Sequence, residues 1–230
     1  MAIKLILIDI DNTLLDFDAF VIKFINDFFK GEGSEIYQAF CEVNDFLWGK
    51  LEKGELTFEQ IKEVRWKMIL ERTGHSELDG VAMEEQFRKQ MRETAIPVPG
   101  AKQMIASLAK KYVLCTASNG PYEQQVHRLR LAEFDTYFKM HFISEDIGFS
   151  KPDVRFFEEA FHRMQMDETL LFAKDEILML GDSLTSDMQG GRNAGIHTCY
   201  FTRGKKHTKP LDADIVVDCL QDVEKAIRGI

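Results

Sequence analysis

The chain has 230 residues, of which 29 are Lys or Arg and 38 are Asp or Glu, giving a formal net charge of -9. This acidic balance argues against general binding to nucleic-acid backbones, and 45% hydrophobic with 29% charged residues is usual for a folded globular protein. The four cysteines form no CxxC pair, and the early apolar run Leu5–Ile8 is too short for a membrane span or a secretion signal. We therefore expect a cytoplasmic protein with reduced thiols.

Six short segments rich in aliphatic and β-branched residues predict strands, and segments with helical periodicity lie between them. The predicted strands, in chain order, are residues 3–10, 112–117, 141–144, 177–180, 197–201 and 214–217. The predicted helices between them are residues 101–110, 122–130, 154–164 and 186–194. Because strands that alternate with helices build parallel sheets with right-handed crossovers, the sequence predicts an α/β fold with a Rossmann-like parallel sheet.

The alternation is interrupted directly after the first predicted strand. Helical periodicity alone is found from residue 17 to residue 95, in the segments 20–29, 34–51, 57–73 and 81–94. Thr57 and Gln60 have the spacing of a capping box at the start of the third of these helices. Pro97-Val98-Pro99-Gly100 then indicates an extended linker. We predict two domains: an α/β core of residues 1–16 and 96–230, and an inserted all-helical domain of residues 17–95.

Charged and polar side chains follow the predicted strands at the ends where ligands bind in open α/β sheets. They are Asp9 and Asp11, Ser118 and Asn119, Lys151, and Asp182 and Asp187. Clustered carboxylates repel one another unless a cation lies among them, and ligands that are all oxygen suit Mg2+. A cation together with Lys151 would create a positive pocket for a phosphorylated ligand. Each residue alone is also typical of a turn, a helix cap or a solvated loop. Only the occurrence of all of them at strand ends indicates a ligand site.

The four motifs together resemble those of the haloacid dehalogenase superfamily. They are Asp9-Ile10-Asp11-Asn12-Thr13, Ser118-Asn119, Lys151-Pro152, and Gly181-Asp182-Ser183 with Asp187. The resemblance extends over essentially the whole chain and identifies residues 17–95 as the helical cap of that superfamily. Within it, Asp11-Asn12-Thr13-Leu14 with Asp16-Phe17, the stretch 47–55 and the stretch 182–187 are similar to pyrimidine 5′-nucleotidases.

The resemblance implies a role for each motif residue. Asp9 would be the nucleophile that forms an aspartyl-phosphate, and Asp11 the general acid and base. Phosphoryl oxygens would be bound by Thr13, Ser118, Asn119 and Lys151. Mg2+ would be held by Asp9, the Asp11 backbone carbonyl, Asp182 and Asp187. One departure is that Thr116-Ala117 precedes Ser118-Asn119, where nucleotidases often have Thr-Asn.

The resemblance implies a Mg2+-dependent phosphomonoester hydrolase, with a pyrimidine nucleoside 5′-monophosphate as substrate. A phosphatase of sugar phosphates or other small metabolites and a phosphomutase share all four motifs and remain open alternatives. A dehalogenase of the same fold needs no metal and lacks the acid/base residue, so Asp11 argues against it. A non-catalytic module that binds a phosphorylated ligand is the alternative from another class, and the presence of both Asp9 and Asp11 argues against it.

Substrate selection is expected to depend on the cap, because the core motifs would contact only phosphate and metal. Phe17 and Trp48 are candidates to stack on a base, as is Phe46. The alternative is that these aromatic residues fill the core of the cap. The expected partner is a small phosphorylated metabolite, with no nucleic-acid polymer and no membrane, bound by a monomer or homodimer.

Overall fold

A parallel β-sheet organises the larger part of the molecule. In the computed structural model, which describes residues 2–167, 170–207 and 211–229, the sheet has six strands. They are β1 (Leu5–Ile8), β2 (Val113–Ser118), β3 (Met140–Ile143), β4 (Ile177–Gly181), β5 (His197–Phe201) and β6 (Ile215–Val217). Their spatial order is β3-β2-β1-β4-β5-β6, and each neighbouring pair is parallel. The predicted α/β fold class is confirmed.

Strand β1 lies at the centre of this sheet, where both of its edges are paired. Leu5 is in register with Val113 of β2 on one side and with Ile177 of β4 on the other. All four residues of β1 are buried, as expected for a short apolar strand that is covered on both faces. The predicted strand 3–10 is longer than the observed one because Ile3 and Ile10 are buried without joining the ladder.

Helices and the remaining segments connect the strands. The chain divides into two units, Met1–Asp16 with Pro97–Ile230 and Phe17–Ile96, one residue away from the predicted division at 17–95. The first unit contains helices α5 (Ala101–Leu108), α6 (Tyr122–Leu131), α7 (Ser144–Ile147), α8 (Val154–Gln165), α9 (Gln189–Ala194) and α10 (Val223–Ile227).

Within the described part of the chain, no helix combines the length and the apolar composition that crossing a bilayer requires.

The segment after β4 differs from the predicted helix 186–194. It begins as a single π-helical turn, Leu184–Met188, and continues as α9. The π-helical turn forms because the backbone N–H groups of Asp187 and Met188 both donate to the carbonyl of Ser183. In α9, a Cβ on Gly190 would lie 2.8 Å from the Phe157 ring. The glycine therefore allows α9 to pack closely against α8.

The second unit is a bundle of four helices, which we call the cap. They are α1 (Phe17–Phe28), α2 (Gly33–Glu52), α3 (Phe58–Arg72) and α4 (Gly80–Arg92). The capping box at the start of α3 is confirmed: the Gln60 N–H donates to Thr57 Oγ1 at 3.2 Å, and the Thr57 N–H donates to Gln60 Oε1 at 2.9 Å. These two bonds satisfy backbone donors that the first turn of a helix leaves unpaired.

Aromatic side chains form the centre of the cap. The Phe87 ring lies 5.1 Å from the rings of both Phe20 and Phe24, and 5.7 Å from that of Trp66. These four side chains are buried together with aliphatic residues of α1, α2 and α3 and with Met91 of α4. Helical spacing also predicts Phe28 in this core, but its ring is 44% exposed and rests on the edge of the cluster against Phe24.

One ion pair is buried in the cap beside these rings. The Arg65 guanidinium on α3 donates to both carboxylate oxygens of Glu84 on α4, at 3.0 and 2.6 Å. Arg65 also donates to Asn44 Oδ1 on α2 at 3.2 Å, and its guanidinium lies 4.7 Å from the Phe87 ring centre. Burial raises the pKa of Glu84, an effect that the positive charge of Arg65 opposes. The pair therefore links three helices of the cap through a single side chain.

Candidate active site

The loop that follows β1 turns back sharply at the end of the sheet. The Ile10 carbonyl accepts hydrogen bonds from the backbone N–H groups of Leu14 and Leu15, at 2.8 and 2.9 Å. Asn12 has a φ of 62°, a left-handed conformation that asparagine tolerates better than most residues. The Asp9 N–H donates to the Leu180 carbonyl at 2.9 Å, which fixes Asp9 at the carboxyl end of the central strands.

Lys151 brings the motifs of three strands together. Its ammonium group donates to Asp9 Oδ1 at 2.9 Å, to Asp187 Oδ1 at 2.5 Å and to the Ala117 carbonyl at 2.5 Å. The side chain is 1% exposed, so it is not the solvated loop residue that its position before a proline also allows. Burial lowers the pKa of Lys151, but the charges of Asp187 and Asp9 outweigh burial and raise it above its ordinary value. Lys151 is therefore a buried, charged centre of this cluster.

Asn119 holds the backbone of Lys151 in place. Its side-chain oxygen accepts from the Lys151 N–H at 2.9 Å, and its side-chain nitrogen donates to the Lys151 carbonyl at 2.9 Å. Because both ends of the side-chain amide are occupied in this way, the predicted contact of Asn119 with phosphate would fall to its backbone N–H. The side chain itself orients Lys151.

Three carboxylates lie close to Lys151. Asp9, Asp182 and Asp187 each present an oxygen within 4.8 Å of the others. Burial raises the pKa of Asp9, against the opposing charge of Lys151. Burial and the charges of Asp9 and Asp187 raise the pKa of Asp182 well above its ordinary value. Because the neighbouring carboxylates raise the pKa of both Asp9 and Asp182, the group favours a further cation, and its oxygen ligands fit a hard divalent ion.

Asp187 reaches this cluster only because residue 181 is glycine. A Cβ on Gly181 would lie 2.1 Å from Asp187 Oδ2, closer than any real contact. The same oxygen accepts a hydrogen bond from the Ser183 N–H at 3.1 Å. The carboxylate therefore lies directly against the end of β4, held by the loop that follows. Gly181 belongs to a sequence motif, but no local pattern indicates this role.

Two hydroxyl groups predicted to bind phosphate lie in the same unit. Thr13 Oγ1 is fully buried and has no hydrogen-bond partner among the described residues. A buried hydroxyl without a partner is costly, so an oxygen-rich ligand would satisfy it. Ser118 is also buried, and its Oγ accepts from Gln125 Nε2 at 3.1 Å, which leaves its own proton to donate.

Asp11 is held by two residues that sequence analysis missed. Arg128 Nη1 donates to Asp11 Oδ1 and Gln125 Nε2 donates to Asp11 Oδ2, both at 2.7 Å. Gln125 and Arg128 lie three positions apart on α6, the helix that follows the Ser118-Asn119 motif. Their polar side chains on a buried helix face are the sequence signal that could have found them.

The predicted substrate residues of the cap lie in different surroundings. Phe17 packs in the cap, with its ring 6.0 Å from that of Phe40 and 6.3 Å from that of Phe87. Trp48 is half-buried, with its ring 5.9 Å from that of Phe58. Phe46 is 51% exposed, so the alternative that it fills the cap core is wrong. A substrate contact by Phe17 or Trp48 stays a prediction.

Comparison with curated proteins identifies relatives along most of the chain. The chain is 33% identical to the pyrimidine 5′-nucleotidase PynA of Streptococcus pneumoniae over 206 residues, which cover 87% of this chain and 84% of that protein. It is 29% identical to the pyrimidine 5′-nucleotidase YjjG of Escherichia coli, over 85% of this chain and 84% of that protein.

Solved structures and a family model also match this chain over most of its length. The crystal structure of YfnB from Bacillus subtilis, bound to magnesium, matches with a TM-score of 0.86 at 27% identity over 99% of each chain. L-2-haloacid dehalogenase from Xanthobacter autotrophicus has the same fold, with a TM-score of 0.75 at 19% identity over 99% of each chain. The family model described as haloacid dehalogenase-like hydrolase matches residues 3–195. Since this match covers well over half of the chain, the protein is an enzyme that belongs to the haloacid dehalogenase-like hydrolases.

Proposed function

We propose that this hydrolase is a Mg2+-dependent phosphomonoesterase that acts on pyrimidine nucleoside 5′-monophosphates. The observation that carries the proposal is the buried contact of Lys151 with Asp9 and Asp187 at the carboxyl ends of the strands. It provides a carboxylate nucleophile and a fixed positive charge in one place, and both are what transfer of a phosphoryl group requires.

Phosphoryl transfer begins at Asp9. A carboxylate oxygen of Asp9 forms a bond to phosphorus as the ester oxygen leaves, and Asp11 donates a proton to the departing alkoxide. Water then attacks the phosphorus of the aspartyl-phosphate and gives a proton to Asp11. The bond between phosphorus and the Asp9 oxygen breaks, which releases inorganic phosphate and restores both carboxyl groups. Two easier steps thereby replace one difficult displacement.

Lys151 and the hydroxyl groups bind the transferring phosphoryl group. The Lys151 ammonium neutralises negative charge on it, and the buried hydroxyl of Thr13 donates to one of its oxygens. The Ser118 hydroxyl and the Asn119 backbone N–H donate to the others. These donors are fixed before substrate arrives, so little reorganisation is needed during reaction.

The carboxylate cluster fits a magnesium ion. Asp9, Asp182 and Asp187, together with the Asp11 backbone carbonyl, would hold it, since their oxygens are the ligands that Mg2+ prefers and their charges are otherwise unbalanced. The bound ion supplies additional positive charge for the phosphoryl oxygens. The magnesium in the YfnB structure supports this assignment.

The nucleotide as substrate rests on the two relatives named as pyrimidine 5′-nucleotidases and on the aromatic residues of the cap. Phe17 and Trp48 would stack on the base, with a contribution of about 1–3 kcal/mol. Sugar phosphates and other small phosphorylated metabolites are the alternative substrates, because the phosphate-binding residues do not distinguish among them.

The test is kcat/KM for UMP, dUMP and dTMP against purine nucleotides and hexose phosphates, measured with Mg2+ and after chelation. We expect the pyrimidine nucleotides to be preferred, and activity to disappear on chelation and return with Mg2+. A preference of about tenfold or more for hexose phosphates, which is about 1.4 kcal/mol in transition-state binding, would exclude the nucleotidase and keep the phosphatase. Full activity after exhaustive chelation would exclude the metal.

The nucleophile has its own test. Asp9→Asn removes the attacking oxygen and should abolish turnover of every substrate in the panel, while far-UV circular dichroism stays unchanged. Asp222→Asn, the same substitution at an exposed position, is the control and should leave turnover intact. Near-normal turnover by Asp9→Asn would contradict the covalent mechanism.

A further inference from the structure

Both oxygens of the Asp11 carboxylate are held by one helix of the α/β unit. Arg128 donates to Oδ1 and Gln125 to Oδ2, each at 2.7 Å. Arg128 and Gln125 are both 1% exposed, although long polar side chains are seldom fully buried. Since desolvating a guanidinium is costly unless its donors are paired, these burials indicate that the contacts with Asp11 are maintained.

The side-chain amide of Gln125 has only one orientation that satisfies its surroundings. Its oxygen accepts from Arg128 Nη1 at 2.9 Å, so its nitrogen must face the two acceptors on the other side. Those acceptors are Asp11 Oδ2 at 2.7 Å and Ser118 Oγ at 3.1 Å. A rotated amide would place an acceptor against the Asp11 carboxylate and a donor against Arg128, and would lose both of those bonds. Gln125 therefore connects Asp11 with Ser118 in a defined geometry.

Helix α6 is anchored where it begins, which makes it a rigid support for these two side chains. The Gly120 N–H donates to Ser144 Oγ at 2.9 Å, and the Tyr122 N–H donates to Glu145 Oε2 at 2.8 Å. These bonds fix the start of α6 to α7, the short helix after β3. A side chain on a fixed helix holds its partner more precisely than one on a loop.

We propose that Arg128 and Gln125 are positioning residues for phosphoryl transfer. They aim the Asp11 carboxyl group at the oxygen of the leaving group, and Gln125 sets its distance from the phosphate-binding hydroxyl of Ser118. This inference rests on the proposed phosphatase function and deepens it. Asp11 has to be positioned in this way because a general acid acts only within hydrogen-bond reach. A displacement of about 1 Å can cost about a hundredfold in rate.

A purely structural role for Arg128 and Gln125 predicts a different effect of their loss on the activity toward different substrates. If Arg128 and Gln125 only stabilise the fold, their loss lowers the amount of active protein and affects all substrates equally. If they aim Asp11, their loss affects most strongly the substrates whose leaving group needs a proton. An alkoxide such as that of a nucleoside needs one, whereas nitrophenolate leaves without protonation.

The experiment compares kcat/KM for UMP with kcat/KM for p-nitrophenyl phosphate on the same preparation of each full-length variant. The ratio of the two values does not depend on the folded fraction, so a partly unfolded variant still gives an answer. The variants are Arg128→Lys, which keeps the charge but not the fork of donors, and Gln125→Asn, which keeps the amide but shortens its reach. Arg130→Lys is the matched control, because Arg130 is exposed on the same helix.

We expect the UMP to p-nitrophenyl phosphate ratio to fall about tenfold or more in both variants, through kcat rather than KM, and to stay unchanged in Arg130→Lys. In an Asp11→Asn background, Arg128→Lys should lower the ratio no further, since the group that it positions is already lost. An unchanged ratio in both variants would overturn the inference while leaving the phosphatase intact. A wild-type enzyme that hydrolyses neither ester would instead overturn the proposed function.

Discussion

At the scale of single residues, the absence of one carbon atom decides whether the acidic cluster can form. Asp187 lies against the backbone of Gly181, and a Cβ at that position would overlap its carboxylate. Lys151 donates to the other oxygen of Asp187, so any displacement of Asp187 also disturbs Lys151. The geometry of three chain segments thus depends on a residue without a side chain.

Gly181→Ala should therefore weaken magnesium binding and activity together. The added methyl pushes the Asp187 carboxylate away from the positions of Asp9 and Asp182, and we expect Mg2+ affinity to fall about tenfold or more, with a parallel loss of kcat. Isothermal titration with Mg2+ measures the affinity directly. Gly49→Ala on α2 is a control for the affinity, because nothing lies within 4 Å of a Cβ there and its backbone is helical. Unchanged affinity in Gly181→Ala would show that Asp187 does not contribute to the metal site.

At the scale of secondary-structure elements, the cap depends on a buried ion pair between α3 and α4. The Arg65 guanidinium lies against the rings of Phe40 and Phe87, and the side chains of Arg65 and Glu84 are only 5% and 4% exposed. Removing one partner leaves the other charge buried and unpaired. Replacing both with apolar residues of similar size removes that penalty.

Arg65→Met should lower the free energy of unfolding of the cap by about 3–5 kcal/mol, and the double variant Arg65→Met with Glu84→Leu should recover most of the loss. Urea denaturation followed by tryptophan fluorescence measures both. Lys23→Met, which breaks an exposed ion pair with Asp27 on α1, should cost no more than about 1 kcal/mol. A double variant as unstable as Arg65→Met would show that the pair itself, rather than the unpaired charge, determines stability.

Local sequence patterns predict these elements because burial and hydrogen bonding repeat along the chain. Strand β5 begins and ends at the predicted residues, and the capping box marks the start of α3. The π-helical turn at Leu184–Met188 is not predictable in this way, since it depends on two N–H groups that share the Ser183 carbonyl.

For the candidate site, the residues that follow the strands are predictable from the sequence, because parallel strands end at the same edge of a sheet. The residues that hold them in place are not. Gln125 contacts Asp11 across 114 positions of the chain, and the close approach of Asp187 to Gly181 depends on the fold of the loop between them. Contacts between distant segments are decided by packing, which no local pattern records.

At the scale of the whole molecule, the cap and the α/β unit each have a hydrophobic cluster of their own. Both tryptophans, Trp48 and Trp66, belong to the cap. The sheet contains two buried thiols, Cys115 and Cys199, and burial raises the pKa of each to about 12. At pH 8 these thiols are protonated and inaccessible until the sheet opens. Each unit therefore has its own spectroscopic or chemical reporter.

Destabilisation of the cap should be visible in one reporter only. In Arg65→Met, the urea midpoint of tryptophan fluorescence should fall, while the midpoint for labelling of Cys115 and Cys199, followed by mass spectrometry of peptides, should stay where it is in the wild type. The exposed Cys219 should react in the native protein and serves as the labelling control. Equal shifts of both midpoints would show that the two units unfold as one.

The central place of β1 in the sheet also determines the order in which the protein can fold as it is made. This strand leaves the ribosome before the cap, yet its ladder partners lie in β2 and β4, far downstream. The cap follows it and carries all members of its own hydrophobic core. Because domains fold as units during synthesis, we expect the cap to form while β1 is still an unpaired apolar strand. In the nascent chain, β1 thus remains an apolar segment without its ladder partners until β2 has been made.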